Sequence, residues 1–162
     1  MLLNPLPIKI EHRIGVQAPG SLIWEILSDI PGWPAWNPLY PKAEGVLRID
    51  AVLTLDLALP GQAPRTIQPV VVDWVPSEQI LWRTASHGGL VRATRYLEIE
   101  SLNDASCIFS NGEVLEGPMI RFISRRARRT MKAGFTAVGE VLRDRAEALW
   151  REREGKATLG GS

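Results

Sequence analysis

The strongest structural signal of the chain lies between Pro118 and Glu154, which read PMIRFISRRARRTMKAGFTAVGEVLRDRAEALWRERE. Apolar residues recur there three and four positions apart, a spacing that places them on one face of a helix. Gly117 and Pro118 mark the start, because proline is tolerated in the first turn of a helix. A helix of roughly 30 residues spans about 45 Å and needs a broad apolar surface to lie on. The members of its apolar face are Ile120, Ile123, Ala127, Met131, Phe135, Val138, Leu142, Ala146 and Leu149.

The residues before this helix read as closely spaced strands that supply such a surface. Apolar and charged residues alternate along residues 8–16, which predicts a half-buried strand with His12 on its apolar face. A short helix over Ser21–Leu27 and a rigid, proline-rich segment over Ile30–Pro41 follow. The spacing of the later strands indicates an antiparallel sheet rather than strand–helix–strand units. Those strands are predicted at Gly45–Ile49, Val52–Leu59, Thr66–Val75, Gln79–Ala85, Leu90–Glu100 and Cys107–Leu115.

Composition limits the classes of protein to which the chain can belong. Its 162 residues suit one domain, which we expect at residues 1–154, followed by a flexible tail over 155–162. A net charge of +1 gives no general indication of nucleic acid binding. No segment approaches the ~20 apolar residues that span a bilayer. Because Cys107 is the single cysteine and residues 1–7 lack a signal-peptide pattern, we expect a cytoplasmic protein without disulfides.

Motifs for several kinds of chemistry are missing from the sequence. It contains no nucleophile elbow, no phosphate-binding loop and no dinucleotide-binding glycine motif. The two histidines and the cysteine lie far apart, without the spacing of metal ligands. We therefore expect neither a metal nor a cofactor, and Cys107 is better explained as a small core residue than as a nucleophile.

Four tracts carry a family resemblance: Ala18-Pro19 with Ile23-Trp24, Trp33-Pro34-Ala35-Trp36-Asn37-Pro38, Leu81-Trp82-Arg83 and Phe109-Ser110-Asn111-Gly112-Glu113. With the order of the elements, they resemble the START-like helix-grip (SRPBCC) superfamily over residues 8–150, most closely its polyketide cyclase/dehydrase and lipid-transport branch. The resemblance implies an α+β fold in which a curved antiparallel sheet of about seven strands wraps around a long C-terminal helix, with two short helices after the first strand. It also implies a cavity between sheet and helix for an apolar or amphipathic molecule. No single reaction is implied, because members include cyclases, hydrolases, carriers and sensors.

Polar residues occupy the apolar faces of the last two predicted strands. Arg95 is in phase with the apolar residues of its strand, and Asn111 and Glu113 are in phase with those of the next. If both apolar faces point inward, the hairpin pairs Arg95 with Asn111 or with Glu113, so all three meet on the inner face. In the resembled fold the first strand lies beside the last, which would bring His12 to the same wall.

This polar group has two interpretations. In the first, Arg95 and Glu113 form an ion pair within the sheet and His12 is hydrogen-bonded in the core, since inward charges are costly unless they are paired. In the second, His12, Arg95, Asn111 and Glu113 contact a ligand. Arg95 would then anchor a carboxylate, carbonyl or enolate oxygen, and His12 or Glu113 would act as an acid or base.

Aromatic and basic residues leave similar alternatives. Trp36 and Trp82 are either core residues or part of the cavity wall, with Trp36 at its mouth. Two adjacent glycines make Ser86–Leu90 the candidate mobile loop. A basic cluster at the start of the long helix forms either a solvated face or a weak contact with an anionic surface. Its members are Arg121, Arg125, Arg126, Arg128, Arg129 and Lys132.

The sequence thus favours a carrier or sensor that binds a small hydrophobic or amphipathic molecule between sheet and helix. One alternative is a cyclase/dehydratase-type enzyme that acts on a polyketide-like or aromatic substrate by acid/base chemistry. The other is an interaction module that uses the basic face of the helix. Abnormal titration of Glu113 or His12 would favour the enzyme, whereas salt-dependent association through Arg125–Arg129 would favour the interaction module.

Overall fold

Eight strands and two α-helices make up residues 4–160, the part of the chain that the computed structural model describes. Three short 3-10 turns, at Ile30–Ala35, His87–Gly89 and Pro118–Phe122, connect them. The order confirms the α+β helix-grip architecture expected from the sequence. In chain order the elements are β1 (Ile8–Val16), α1 (Gly20–Ser28), β2 (Lys42–Glu44), β3 (Thr54–Leu57), β4 (Arg65–Ile67), β5 (Val70–Val75), β6 (Gln79–Ser86), β7 (Val91–Asn103), β8 (Ser106–Glu116) and α2 (Arg125–Leu159).

The strands form two connected antiparallel sheets rather than the single sheet expected. One sheet has five strands in the order β1-β8-β7-β6-β5, and the other has three in the order β2-β3-β4. Backbone hydrogen bonds join them, from Asp50 N to Val71 O at 2.8 Å and from Leu53 N to Pro69 O at 2.9 Å. The segment Thr66–Val75, expected as one strand, divides into β4 and β5 before Val70 because Pro69 has no N–H to donate.

The strand predicted at Gly45–Ile49 is wrong, and the observed strand β2 lies immediately before it at Lys42–Glu44. Gly45 has a φ of +132°, a conformation that ends the strand and that only glycine adopts freely. A side chain at Gly45 would also collide with Leu53. After the turn the chain is irregular. Of the apolar residues that suggested a strand, Val46 and Ile49 are exposed and Leu47 is half-buried.

The long helix begins later and ends later than the sequence pattern indicated. Pro118–Phe122 forms a 3-10 turn, and α2 starts at Arg125, where the hydroxyl of Ser124 accepts a hydrogen bond from Ala127 N at 3.0 Å. A serine before the first helical residue is a favoured N-cap because its oxygen satisfies a free backbone N–H. The helix continues to Leu159, through residues expected in the C-terminal tail. Residues 161–162 of that tail lie outside the described residues.

The core lies between α2 and the inner face of the larger sheet. Phe135, Val138, Leu142 and Ala146 of α2 are buried, as the helical spacing predicted. Gly139 permits close contact between this helix and β1, because a Cβ there would lie 2.6 Å from Nδ1 of His12. Within residues 4–160, no helix combines the length and the apolar character that crossing a membrane requires.

Candidate functional site

A cavity of about 100 Å³ lies between the sheets and α2. Of its eleven lining residues, four are buried, six are half-buried, and Arg65 is exposed. The buried end is largely aromatic, and the exposed arginine marks the end nearest to solvent. Larger grooves lie on the outside of the molecule, but they are open to solvent. The cavity is lined by Tyr40, Leu57, Leu59, Arg65, Ile67, Trp82, Thr84, Arg95, Glu113, Met131 and Phe135.

Arg95 lies in the cavity wall and is held by the protein on most sides. It pairs with Glu113 across β7 and β8, one of the two registers that strand parity allowed. Only 2% of Arg95 is exposed. Its guanidinium group lies over the ring of Phe135, with 4.2 Å between the central carbon and the ring centre. Such a position over an aromatic face stabilises a cation away from water.

Four hydrogen bonds occupy four of the five N–H donors that a guanidinium group carries. Nε donates to the hydroxyl of Tyr40 at 3.2 Å, and Nη2 donates to Oδ1 of Asn111 at 2.9 Å. Nη1 donates to two main-chain carbonyls, those of Tyr96 at 3.1 Å and Gly112 at 3.0 Å. Arg95 is therefore mainly engaged by neutral acceptors of the protein itself.

Glu113 does not form the ion pair that the structural interpretation required. Among residues 4–160, its carboxyl group has no ion-pair partner within 4.0 Å and no hydrogen-bond partner. The donors of Arg95 are directed instead to Tyr40, Asn111 and the main chain, which leaves the Glu113 carboxyl facing the cavity. Burial raises the pKa of Glu113 above its ordinary value, although the charges of Arg95 and Arg65 act in the opposite direction.

Tyr40 is a cavity residue that the sequence analysis did not single out. It is 2% exposed, packs edge-on against Trp82 with ring centres 5.9 Å apart, and accepts the hydrogen bond from Arg95. Burial raises its pKa, so its hydroxyl stays protonated through the neutral range. The flanking residues Pro38 and Pro41 were the available signal, because prolines on both sides restrict the path of the chain.

Asn111 supports the cavity from behind its wall. It is fully buried and does not line the cavity. Its Oδ1 accepts from Arg95, and its Nδ2 donates to the main-chain oxygen of Phe135 at 3.1 Å. One amide thus connects β8 with both the arginine and α2, so its observed contacts position Arg95.

His12 lies beside the predicted group in the sheet but turns its ring elsewhere. It pairs with Asn111 across β1 and β8, as the resemblance implied, yet its side chain meets Gly139 and does not line the cavity. Among the described residues, its buried Nδ1 has no hydrogen-bond partner, contrary to the satisfied core histidine expected. Burial, followed by the charge of Lys132, lowers the pKa of His12.

The two candidate tryptophans and the candidate loop differ in their position relative to the cavity. Trp82 is buried in the cavity wall, whereas Trp36 is buried in the core and does not line the cavity. The candidate loop Ser86–Leu90 contains the 3-10 turn His87–Gly89, in which His87 is exposed. Within residues 4–160, no cluster of three or more His, Cys, Asp or Glu side chains could hold a metal ion.

The basic cluster lies in the first turns of α2, except for Arg121, which lies in the preceding 3-10 turn. Arg128 is half-buried. Contact of this cluster with an anionic surface gains no support from the fold and stays a prediction from the sequence. The exposed arginines of α2 in this cluster are Arg125, Arg126 and Arg129.

Solved structures with the same fold cover most of the chain. The Zhui aromatase/cyclase from Streptomyces sp. R1128 aligns with a TM-score of 0.68 and 19% identity over 88% of this chain and 94% of that one. A START superfamily protein from Mycobacterium smegmatis aligns with a TM-score of 0.69 and 17% identity, over 87% and 98%. A norcoclaurine synthase from Thalictrum flavum aligns with a TM-score of 0.68 and 14% identity, over 95% and 99%. Identities this low show a shared fold alone.

Comparison at the level of sequence assigns the family. Among proteins with curated descriptions, none matches the chain. The family described as polyketide cyclase/dehydrase and lipid transport matches residues 7–147, which include both sheets and most of α2. The chain therefore belongs to the polyketide cyclase/dehydrase and lipid transport family.

Proposed function

We propose that the protein binds a small apolar or amphipathic molecule in the cavity between its sheets and α2, as a carrier or sensor. The observation that carries this proposal is the composition of the cavity wall. It is mostly apolar and aromatic, with a few polar groups that converge on the same space, and this is the usual composition of a small-molecule site. The family match is consistent with such a site, because its description includes lipid transport.

Glu113 supports a ligand site over a purely structural cavity. A half-buried carboxyl group without a protein partner costs stability, because it has lost part of its hydration and gained no hydrogen bond. An apolar residue at this position would avoid that cost. A bound molecule that hydrogen-bonds to the carboxyl would supply the missing partner.

Trp82 allows binding to be measured directly. Titration with 1-octanol or cyclohexanol, which are uncharged and do not absorb where tryptophan does, should change the tryptophan emission of the wild type. The change should disappear in Trp82→Phe and persist in the matched control Trp36→Phe, because only Trp82 lines the cavity. If neither probe changes the emission and calorimetry detects no heat of binding, the cavity is not a ligand site.

A second candidate function is acid/base catalysis of the cyclase or dehydratase type. It is favoured by the Glu113 carboxyl and the Tyr40 hydroxyl in the same cavity, and burial, which raises the pKa of Glu113, makes that carboxyl hold its proton to higher pH as a general acid for a departing hydroxyl group requires. Loss of water from the aldol adduct of benzaldehyde and acetone gives benzalacetone, which is followed by its ultraviolet absorbance. Enzymatic dehydration should be abolished in Glu113→Gln and retained in Glu98→Gln, an exposed control. No rate above that of buffer would exclude this candidate for β-hydroxy ketones.

A further inference from the structure

We infer that the cavity selects an uncharged molecule with a single ring and a carbonyl oxygen, which accepts hydrogen bonds from the Tyr40 hydroxyl and the Glu113 carboxyl. This inference rests on the proposed ligand-binding function and specifies the chemical class of the ligand. It follows from the free donors, the charges and the volume of the cavity, taken in turn.

Tyr40 provides the first donor. Its oxygen already accepts the hydrogen bond from Nε of Arg95 at 3.2 Å, so the group has its proton left to donate. Among residues 4–160, no acceptor receives that proton. A hydroxyl that accepts from a cation is polarised and becomes a stronger donor, because hydrogen bonds in a chain reinforce one another.

Glu113 provides the second donor. Its carboxyl lines the same cavity and has no partner among the described residues. The charged and titratable groups that share this cavity with it are Tyr40, Arg65 and Arg95. Burial raises the pKa of Glu113 in spite of the two arginines, which favours the protonated form that can donate. A carbonyl oxygen, with two lone pairs, can accept from both donors at once.

The charges around the cavity disfavour a charged ligand. A cationic ligand would compete with Arg95, which already lies over Phe135 at 4.2 Å and beside Trp82 at 6.0 Å. An anionic ligand would find most donors of Arg95 already engaged by the protein, and the exposed Arg65 is hydrated. Either ion would therefore lose hydration without an adequate partner, which is costly.

The volume of the cavity limits the ligand to one ring. Benzene occupies an engineered cavity of about 150 Å³, and typical ligand pockets hold about 300–1,000 Å³. At about 100 Å³, this cavity admits one ring once the half-buried Leu59 and Met131 yield slightly. Two fused rings would displace the buried rings of Tyr40, Trp82 and Phe135, which belong to a closely packed core.

Calorimetry on the intact protein tests the carbonyl oxygen, the absence of charge and the single ring, each with a matched ligand. Acetophenone is the probe, ethylbenzene lacks its oxygen, benzylamine and benzoate carry charge, and acetylnaphthalene adds a ring. Acetophenone should bind at least about tenfold more tightly than each of the others, since one hydrogen bond is worth about that factor. Equal affinity for ethylbenzene, or tighter binding of either ion or of acetylnaphthalene, would overturn the inference while leaving a ligand site in place. If none of the five ligands binds and neither 1-octanol nor cyclohexanol changes the tryptophan emission, the proposed function is excluded.

Variants test the two donors separately. Tyr40→Phe and Glu113→Leu should each weaken acetophenone binding by about tenfold and leave ethylbenzene binding unchanged. Their controls are Tyr96→Phe and Glu98→Leu, which alter the outer face of β7 and should not change the affinity for acetophenone. Unchanged acetophenone affinity in both donor variants would contradict the inference.

The pH dependence gives a readout that does not require a large structural change. Wild-type affinity for acetophenone should fall as pH rises through the raised pKa of Glu113, because the carboxylate cannot donate. Glu113→Gln keeps an N–H donor that does not titrate, so its affinity should be retained and should be flat over the same range. A flat profile in the wild type with an unperturbed fold would contradict the role of Glu113.

Discussion

Arg95 shows how a buried charge is accommodated without a charged partner. Three kinds of neutral acceptor surround it: the Tyr40 hydroxyl, the Asn111 amide and two main-chain carbonyls. Hydrogen bonds to a charged group are stronger than those between neutral groups, and a cation over an aromatic face is further stabilised. The arginine therefore organises the inner end of the cavity, and the carboxyl of Glu113 remains free to interact with what enters.

This arrangement makes a prediction that distinguishes it from an Arg95–Glu113 ion pair. Arg95→Met leaves several buried acceptors without donors and should lower the free energy of unfolding by about 3–5 kcal/mol. Adding Glu113→Leu should recover little of that loss, because the abandoned acceptors are those of Tyr40, Asn111 and the main chain. Urea unfolding of the single and double variants measures both effects. Recovery of most of the stability in the double variant would indicate that the two charges pair in solution.

At the scale of the elements, the N-cap residue Ser124 determines where α2 starts. The apolar spacing begins before the helix does, since Ile120 is buried within a 3-10 turn and Ile123 follows it in an extended conformation. The chain turns sharply at Gly117, whose φ of +116° suits glycine, and the helix starts only after Ser124. Apolar spacing reports which residues face the core but not which backbone conformation brings them there.

Ser124→Ala tests where the helix starts. As an N-cap, Ser124 satisfies Ala127 N, so its loss should lower the free energy of unfolding by about 1 kcal/mol. If the helix began at Pro118, the same change would lie inside it and would be neutral or stabilising, because alanine is the better helix former. Ser21→Ala, an exposed serine of α1, serves as the control and should change stability little. Thermal unfolding followed by circular dichroism gives the sign.

At the scale of the whole molecule, two sheets and one helix enclose a space that no single segment defines. The cavity wall draws on Tyr40, on the smaller sheet, on three strands of the larger sheet and on α2. Along β1, α2 lies close enough that Gly139 meets the His12 ring without room for a Cβ. The contact of helix and sheet thus depends on a small residue opposite a large polar one.

The His12 contact predicts a pH dependence of global stability. The pKa of His12 is lowered from 6.5 by burial and by Lys132, with Arg143 adding to this effect and Glu140 opposing it. Below pH 6.5, His12 of the unfolded chain binds a proton, whereas burial disfavours that proton in the folded protein. The contribution of His12 to the free energy of unfolding is therefore complete above pH 6.5 and declines as the pH falls. Denaturant unfolding of the wild type between about pH 5 and pH 7.5 should show this decline.

His12→Gln is the control for that measurement. Glutamine does not titrate, so the decline below 6.5 should become smaller in this variant. Equal pH profiles for the wild type and His12→Gln would mean that His12 titrates alike in the folded and unfolded states, contrary to its burial against α2.

Local spacing was enough to predict much of the architecture. Apolar residues recur with a period of two along β1, β7 and β8 and with a period near 3.6 along α2. Both periods follow from backbone geometry, so the sequence alone shows them. Strand parity likewise brought Arg95, Asn111 and Glu113 together before the register was known. The tracts in and around α1, in the proline-rich segment after it, and in β6 and β8 were enough, with the order of the elements, to indicate the family.

The chemistry of the cavity depended on contacts between segments far apart in the chain. Which acceptors engage Arg95, why Glu113 keeps no partner, and how Tyr40 comes to lie beside both are outcomes of three-dimensional packing. Side-chain hydrogen bonds are chosen among all donors and acceptors within about 3 Å, a distance that strand parity does not specify. The sequence therefore offered Arg95, Glu113 and Trp82 as candidates, whereas the place of Tyr40 and the contacts of each residue required the assembled sheets and helix.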